Sequence, residues 1–408
     1  MTRGIVVTGL GAVSALGPDV AGNWAAAAAG EGAIAPHVFD PGDYAAGKAT
    51  IPAARVKDSP QAALEAALGH RLGVLDPFAL FALAAAQEAL SQAGLIGHPS
   101  LEKRTALVLG HGMPGMTVLE QAYERVYAKA AVRVHPLTIP RVMVSAPVSA
   151  VAMEYTVRGP VFAVSSACSS SGHAIAQGAG LIATGQADVA IVGGSEAVCT
   201  PVSIRAWEGL QAMSDTTCRP FSRDRDGMAL GEGGAVLVLE AREHAEARGA
   251  TVLAEFGGSG LSSDAFHWTQ PSLDGALSAM SQAVEQAGVL GARQILISTH
   301  GTGTPLNDKN EADAIVALFG GRAKNHPVIA TKSAHGHLIG ASTALQAVLG
   351  LTALAKRKAP PILNYLGPDP EIDLDLVVGE ARDIDAQALL LNAFAFGGLN
   401  TSLVFRRV

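Results

Sequence analysis

Apolar and polar positions recur along the chain in patterns typical of helices and strands that follow one another. Residues 78–95 have the periodicity of an amphipathic helix, and the apolar run 106–109 that follows predicts a buried strand. The same pair of patterns returns at residues 277–289 and 295–297. Helices and strands that alternate in this way predict mostly parallel sheets covered by helices.

A second pair of helical and apolar patterns also occurs twice along the chain. The helical pattern after Cys168 and the apolar run 189–194 are echoed by a helical pattern from Gly340 and the apolar run 389–391. Each half of the chain therefore contains the same two pairs of elements.

The two repeats divide the chain into an N-terminal half, residues 1–250, and a C-terminal half, residues 251–408. Two such halves placed back to back predict a five-layered αβαβα arrangement. The irregular stretch 36–60 is expected to be a surface excursion and not a domain boundary.

Cys168 lies where an apolar run ends and a helical pattern begins, which makes its thiol a candidate nucleophile. Unpaired backbone N–H groups at a helix N-terminus stabilise thiolate over thiol, so the position predicts a pKa lowered toward neutral pH. A lone cysteine is more often a small buried residue, and on Cys168 alone this alternative stays open.

Two histidines far downstream favour the nucleophilic role of Cys168 over the structural one. His300 directly follows the apolar run 295–297, and His337 lies in a motif that follows the run 328–330. Both imidazoles are therefore predicted near the ends of strands, where the fold can bring them to Cys168. Each histidine alone is an ordinary loop residue, and only the three together predict a nucleophilic site.

With these residues in this order, the chain resembles the β-ketoacyl-acyl carrier protein synthases, the condensing enzymes of fatty acid and polyketide assembly. The resemblance runs nearly end to end and is closest to the elongating branch, in particular synthase II and the rhizobial nodulation-factor fatty acid synthase. Its motifs occupy residues 5–14, 158–160, 164–173, 192–196, 219–227, 230–233, 300–305, 331–340 and 392–400. The resemblance implies the thiolase fold.

The resemblance also implies the chemistry. Cys168 would accept an acyl group from a carrier thioester, and His300 and His337 would donate hydrogen bonds to the thioester oxygen of malonyl-carrier as CO2 leaves. The backbone N–H groups of Cys168 and Phe396 would form the oxyanion hole. The expected activity is that of an acyltransferase whose product is a 3-oxoacyl-carrier protein.

Supporting roles follow from the same resemblance. Lys332 and Glu311 match a charged pair beside the histidines. Thr302 and Thr304 would hydrogen-bond the amide groups of phosphopantetheine, and turn formation in their glycine-rich motif is a competing explanation.

The acyl chain is expected to enter a channel that Phe396 gates. Leu119 and residues 137–139 align with the far end of this channel, and Leu119 is expected to contact the substrate.

Three positions depart from the family pattern. Gln346 replaces the glutamate of most elongating synthases, which removes one buried negative charge at a position with no obvious basic partner in the sequence. Ala395 and Leu399 replace the commoner glycine and threonine around Phe396, and the methyl group of Ala395 is expected to restrict the movement of that loop.

Other histidines are not expected to be catalytic. His335 is out of register with the family histidine, and His111 and His173 are expected to pack or hydrogen-bond locally. His267 aligns near the entrance to the site, where only a weak binding role is expected.

Composition narrows the class of protein. The chain has 408 residues with a net charge of −7 and lacks a basic cluster, which argues against a nucleic-acid partner. Its three cysteines cannot form a complete disulfide framework, which favours a reducing compartment. Since no leader and no apolar run of membrane-spanning length is recognised, a cytoplasmic protein without membrane insertion is expected.

The resemblance implies an acyl carrier protein as partner, a homodimer, and neither metal nor organic cofactor, because phosphopantetheine arrives on the carrier. One alternative is the active subunit of a heterodimer with a chain-length factor. The non-catalytic factor itself is disfavoured, because it usually lacks the nucleophile. A coenzyme A-dependent thiolase is also disfavoured, because that family carries a second cysteine near the C-terminus and no cysteine follows Cys218.

Overall fold

The computed structural model describes residues 3–39 and 49–408. Its strands are β1 (Ile5–Ser14), β2 (Ala35–Phe39), β3 (Ala49–Ala54), β4 (Thr105–Gly110), β5 (Val161–Val164), β6 (Val189–Glu196), β7 (Leu230–Gly231), β8 (Gly233–Ala241), β9 (Ala254–Ser263), β10 (Ile295–Ser298), β11 (Pro327–Ile329), β12 (Lys358–Ala359), β13 (Asp375–Leu376), β14 (Arg382–Asp383), β15 (Ala388–Ala395) and β16 (Leu399–Arg406).

Its α-helices are α1 (Val20–Ala29), α2 (Gln61–Leu68), α3 (Pro77–Ala93), α4 (Ser100–Lys103), α5 (Met116–Tyr123), α6 (Thr138–Val142), α7 (Ala146–Tyr155), α8 (Ser170–Ala183), α9 (Pro201–Gly209), α10 (Arg242–Ala247), α11 (Leu273–Ala287), α12 (Pro305–Phe319), α13 (Lys332–His335) and α14 (Ser342–Lys356). A π-helical turn at Glu124–Ala128 extends α5, and 3-10 turns occupy Gly320–Asn325 and Ile339–Ala341.

One mixed sheet joins strands from both halves in the order β13-β11-β10-β15-β16-β9-β1-β8-β6-β4-β5. Outward from the β1–β9 seam, the strands β1, β8, β6, β4 and β5 match β9, β16, β15, β10 and β11, and corresponding pairs run in the same relative directions. The seam is narrow, with Val6 opposite Glu255 and Val7 opposite Ala254. The two predicted repeats are therefore present, while a domain boundary at residue 250 stays a prediction.

Helices cover the sheet in layers. On one outer side α3 packs against β1 and β8, and on the other α11 packs against β9 and β16. Between them α8 and α14 pack against each other and against strands of both halves. Neighbouring residues of a strand face different layers, as Ile191 and Val192 of β6 do. The five-layered αβαβα arrangement of the thiolase fold is confirmed.

The central layer is strongly apolar. The helical stretch Ile339–Lys356 has the length and composition of a membrane span, yet 83% of it is buried inside the protein. It is therefore a core helix of this fold.

The segment expected to be irregular contains two strands. β2 pairs with β3, and β3 pairs with β7, whose Leu230 forms a β-bridge with His337. The expectation that this stretch is irregular is therefore wrong for β2 and β3, which pair with each other, and β3 also pairs with β7, which is distant in sequence. Residues 40–48 of this excursion lie outside the described residues.

Candidate active site

Cys168 is held in a tight turn between β5 and α8. Ala167, just before it, has a φ of +51°, which is rare for a residue other than glycine and marks local backbone strain. The first turn of α8 packs so closely on Gly110 that a Cβ there would lie 2.2 Å from the backbone of Ser170. The turn buries the thiol, which is 5% exposed, at the centre of the fold.

His300 and His337 converge on this thiol from the other half. Nε2 of His337 lies 3.2 Å from Sγ of Cys168. The two imidazole rings are 5.5 Å apart and nearly perpendicular. One ligand atom from each of the three residues lies within 4.8 Å of the others. The predicted Cys-His-His cluster is confirmed.

Hydrogen bonds assign the proton of His337 to Nε2. The backbone N–H of Ile339 donates to Nδ1 at 3.1 Å, and Oγ of Ser342 lies 2.8 Å from the same nitrogen. Because Nδ1 accepts, the neutral ring carries its proton on Nε2, the nitrogen that faces Cys168.

The proton of His300 is assigned in the same way by Lys332. Nζ of Lys332 donates to the backbone carbonyl of His300 at 2.6 Å and lies 3.4 Å from Nδ1 of the same residue. An ammonium can only donate, so Nδ1 of His300 accepts and Nε2 carries the proton. Both histidines therefore present N–H donors to the space beside Cys168.

Burial keeps both imidazoles neutral. It lowers the pKa values of His300 and His337 well below their usual value, and the nearby Lys332 charge lowers them further. Neutral rings with an Nε2 proton are suited to stabilise an oxyanion without transferring the proton.

The predicted low pKa of Cys168 is wrong. Burial raises the pKa of this thiol to about 11, although the Lys332 charge and the backbone N–H groups of Phe396 and Cys168 favour the thiolate. Cys168 also precedes Ser169, the N-cap of α8, and is not in the first helical turn. Burial therefore raises the pKa of this thiol by more than the nearby helix N-terminus lowers it.

A cavity of about 510 Å³ opens onto the three residues. Thr302 and Thr304 line it, with their hydroxyl oxygens 2.8 Å apart, and their contact with phosphopantetheine stays a prediction. Phe396 lines it beside the thiol, and its ring stacks on Trp207 with the centroids 6.1 Å apart. Gly397 and Gly398 follow with φ values of +82° and +71°, a backbone that permits this sharp turn.

Leu119 does not line this cavity. It lies on α5, where Thr117 and Glu120 line a separate and larger cavity of about 1020 Å³. One apolar cluster contains residues that line each cavity, Cys199 in the larger and Cys168 in the smaller. That Leu119 contacts the substrate at the far end of the acyl channel stays a prediction, and residues 137–139 lie in and next to the short helix α6.

The predicted Lys332–Glu311 pair is not in direct contact. Glu311 accepts hydrogen bonds from the backbone N–H groups of His300 and Gly301 at 2.8 and 2.9 Å, and from the Asn392 side chain at 3.1 Å. Glu311 therefore supports the His300 loop through its backbone, and it attracts Lys332 only at longer range.

Gln346 has the basic partner that the sequence does not reveal. Its Oε1 accepts from Nζ of Lys332 at 2.7 Å, and its Nε2 donates to the backbone carbonyl of Thr299. The expectation that no basic partner lies beside position 346 is wrong, because α13 and α14 bring together residues that lie in separate elements.

His335, His173 and His267 bond locally. Both ring nitrogens of His335 are occupied, by the carbonyl of Gly336 and the hydroxyl of Thr331, and burial lowers its pKa to about 3. Nδ1 of His173 contacts Ser166 and Ser169. His267 is exposed and accepts from the backbone of its own turn.

Sequence reasoning missed Ser342 and Trp207. Ser342 lies at hydrogen-bond distance from Nδ1 of His337, and Trp207 packs on Phe396. No local pattern marks either residue, because each acts through contacts between different elements.

The same cluster has the donor atoms of a zinc site. One sulfur and two imidazole nitrogens suit a soft divalent cation. An ion there would occupy the space between the nucleophile and the two donors. The absence of a metal cofactor stays a prediction.

A thiolase fold with a buried cysteine and two Nε2-protonated histidines at one cavity defines the class of acyl-transferring condensing enzymes. Sequence comparison agrees. Residues 2–245 match "Beta-ketoacyl synthase, N-terminal domain" and residues 253–366 match "Beta-ketoacyl synthase, C-terminal domain". The chain belongs to the beta-ketoacyl synthase family and is a condensing enzyme.

Individual relatives support this assignment over the full chain. "Nodulation protein E" of Rhizobium sp. (strain N33) is 40% identical over 408 residues and is covered completely, as is this chain. The "3-oxoacyl-acyl-carrier-protein synthase 2" of Coxiella burnetii is 35% identical over 416 residues, which cover 100% of this chain and 99% of the relative.

Solved structures give the same result. The ishigamide ketosynthase/chain length factor superposes with a TM-score of 0.92 at 30% identity. A type II polyketide ketosynthase, AntDE, in complex with its acyl-carrier protein AntF, superposes with a TM-score of 0.87 at 27% identity. In both cases the match covers 100% of each chain.

Proposed function

We propose that the protein is a β-ketoacyl-acyl carrier protein synthase that extends an acyl group bound to Cys168. The observation that carries this proposal is the convergence of the Cys168 sulfur and two imidazole nitrogens within 4.8 Å, together with the Nε2 protons assigned above.

The first step transfers an acyl group. Sγ of Cys168 attacks the thioester carbonyl of an acyl-carrier, and the C–S bond to the carrier breaks. Because the Cys168 thiol starts protonated, its proton leaves during the attack and ends on the carrier thiol. The backbone N–H groups of Cys168 and Phe396, which are directed at the sulfur, support an oxyanion hole for this step.

The second step forms the new carbon–carbon bond. Malonyl-carrier loses CO2, and the electron pair of the broken C–C bond moves to the thioester oxygen, where Nε2–H of His300 and of His337 stabilise the negative charge. The resulting carbon nucleophile attacks the acyl-Cys168 carbonyl. The C–S bond breaks, and the sulfur takes up a proton to restore the thiol.

Intact-mass analysis tests the proposal. The enzyme is incubated with acyl-carrier proteins of varied chain length and unsaturation, and we expect the mass of one acyl group to appear on Cys168. Digestion locates the modified residue. Acylation elsewhere, or no acylation with any carrier, would contradict the proposal.

The proposed partners are an acyl carrier protein and a second ketosynthase-type subunit. The AntDE–AntF complex supports the first. For the second, β5 is the outermost strand of the sheet beyond β4, and Phe162 on it is 38% exposed. We propose a homodimer through this edge, and Phe162→Arg is expected to shift it toward monomer in mass photometry at low protein concentration.

A heterodimer with a chain-length factor is the second candidate, because the ishigamide protein is a ketosynthase/chain length factor. In that case this chain is the active subunit, since it has the complete Cys-His-His cluster. The purified chain alone would then stay monomeric and would fail to condense. We further propose a cytoplasmic enzyme that needs no cofactor beyond the carrier-bound phosphopantetheine.

A further inference from the structure

The Lys332 side chain is fully buried and has three hydrogen-bond acceptors around its ammonium group. These are the backbone oxygen of His300 at 2.6 Å, Oε1 of Gln346 at 2.7 Å and Nδ1 of His300 at 3.4 Å. An ammonium has three N–H donors, one for each acceptor. None of the three acceptors is a carboxylate.

Gln346 holds its amide in one orientation. Its Nε2 donates to the carbonyl of Thr299, which can only accept, so its oxygen must face Lys332. Gln346 is fully buried and lies on α14, the helix that begins just after the His337 motif. It therefore joins Lys332 to the backbone immediately before His300.

We propose that Gln346 is a positioning residue whose neutral amide leaves the Lys332 ammonium without a bonded carboxylate. Mildly alkaline solution then removes a proton from Lys332, and Lys332 no longer fixes the tautomer of His300. This inference rests on the proposed function and adds a pH control to the same site.

Deprotonation of Lys332 would change the tautomer of His300. A neutral amine has two N–H donors and one lone pair, so it cannot serve three acceptors. If the lone pair turns to Nδ1 of His300, it favours a proton on Nδ1. The ring proton then leaves Nε2, and the site loses one of its two donors to the developing enolate.

The groups that face Lys332 do not prevent this change. Burial lowers the pKa of Lys332 to about 8, although negative charge on its neighbours would raise it. These neighbours are Cys168, Glu311, Cys218 and Asp308. Burial raises the pKa of each of the four, to about 7 in Glu311, which is therefore ionised at pH 8, and burial lowers the pKa of Lys332 to about 8 against that charge. The nearby His300, His335 and His337 stay neutral because burial lowers their pKa values.

The test compares two variants at position 346 across pH 6.5 to 10, with malonyl-carrier decarboxylation as the readout. In the native enzyme, the rate should fall about tenfold for each pH unit above about 8. Gln346→Glu places a carboxylate beside the Lys332 ammonium. The pH above which the decarboxylation rate falls, the alkaline limb of the profile, should therefore rise by one unit or more. Gln346→Met has similar size but no acceptor or charge, so its limb should not move upward.

Several outcomes would overturn the inference. An alkaline limb at the same pH in the native enzyme and in Gln346→Glu would show that Gln346 does not control Lys332. Equal upward shifts in both variants would show that charge is not the cause. Failure of Gln346→Glu to fold would show that Lys332 does not neutralise the new carboxylate.

Two further measurements separate this inference from the proposed function. Self-acylation, followed by intact mass at pH 7, tests the proposed function alone. The ¹⁵N shifts of the His300 ring report its tautomer without turnover and are assigned by difference from His300→Asn. The proton should move from Nε2 to Nδ1 above pH 8 in the native enzyme and stay on Nε2 in Gln346→Glu. An unchanged native tautomer would contradict the inference even if acylation succeeds.

Discussion

His111 and His300 follow matching strands, β4 and β10, of the two halves, yet their rings carry protons on opposite nitrogens. Nδ1 of His111 lies 2.8 Å from the carbonyl of Ser195, so this nitrogen donates. Its Nε2 is buried without a hydrogen-bond partner among the described residues. Nδ1 of His300 faces the Lys332 ammonium and accepts, which leaves the proton on Nε2.

The group opposite Nδ1 therefore decides what a histidine at this position can do. A carbonyl there produces a ring with no donor toward its free side, and His111 packs edge-on against Phe78. An ammonium there produces a donor aimed into a cavity. The repeated fold provides the position twice, and only the second half turns it into an active-site donor.

A buried glutamate supports the loop after each of these histidines. Glu196 accepts from the backbone N–H groups of Gly112 and Met113 at 2.7 and 3.0 Å, and Glu311 does the same for His300 and Gly301. Glu196 also accepts from the backbone N–H of Gly340 at 3.0 Å and so connects the first half to the 3-10 turn that precedes the central helix α14. Both halves therefore have a buried glutamate that supports the loop after the histidine, but only the second half has an active-site donor at this position.

Cys168→Ala gives the largest expected effect, because it removes the only reacting atom that the first half supplies. We expect no self-acylation and no condensation, with a melting temperature close to that of the native enzyme. Decarboxylation of malonyl-carrier, which uses the donors of the second half, should persist. Intact mass and CO2 release measure the two activities separately. Residual acyl transfer by this variant would contradict the division of chemistry between the halves.

His300→Ala and His337→Ala should each lower decarboxylation by roughly a hundred- to a thousand-fold, the usual effect of losing one preorganised donor to an oxyanion. His335→Ala is the matched control, because its ring has no contact with the cavity, and its rate should fall far less. The rates are compared with saturating malonyl-carrier at pH 7. Similar losses at His335 and His337 would show that the donor is assigned to the wrong histidine.

His111→Ala should leave decarboxylation within about tenfold of the native rate, in contrast to His300→Ala. Its main effect should be a loss of about 1–3 kcal/mol in the free energy of unfolding, because the buried carbonyl of Ser195 loses its partner. Urea denaturation measures this loss. A catalytic loss as large as that of His300→Ala, in a folded protein, would show that the two positions are functionally equivalent.

Glu196→Gln and Glu311→Gln should produce the smallest effects, visible as a change in the pH dependence of stability. Burial raises the pKa of both carboxyls from 4.5 to about 7. Folding therefore favours the protonated acid, and this stability is present below about pH 4.5 and lost as the pH rises to about 7. Each glutamine variant should lose less stability than the native protein between pH 5 and pH 7, by on the order of 1–3 kcal/mol.

Denaturation curves of the native protein and of each glutamine variant at pH 5 and pH 7 measure this difference for each half. Parallel loss of stability in the native protein and in either variant would show that the corresponding carboxyl is already ionised at pH 5.

Cys168 and His300 are predictable from sequence because they lie close to a helix start and a strand end, whereas His337 follows α13 and is recognised through its motif. Cys168, His300 and His337 all follow short apolar runs, and those runs became β5, β10 and β11. The repeated order of elements likewise predicts the layered fold, since helices and strands alternate in both halves.

The properties of those side chains depend on contacts that the sequence does not reveal. The pKa of Cys168 depends on how completely the assembled core excludes water. The partner of Gln346 is Lys332, on a different helix, and the tautomer of His300 depends on the same lysine. These contacts exist only once α13, α14 and the loop after β10 have packed.

The placement of β1 has a consequence for the synthesis of this protein. The first strand is buried along its whole length, yet its partners come much later, with Ser14 opposite Gly233 and Ile5 opposite Ala241. At translation rates of about 5–20 residues per second, an apolar segment near the N-terminus waits on the order of ten seconds or longer for its neighbouring strand. Chaperone binding to the nascent chain would protect this segment from aggregation, and slow codons between β1 and β8 would lengthen its exposure.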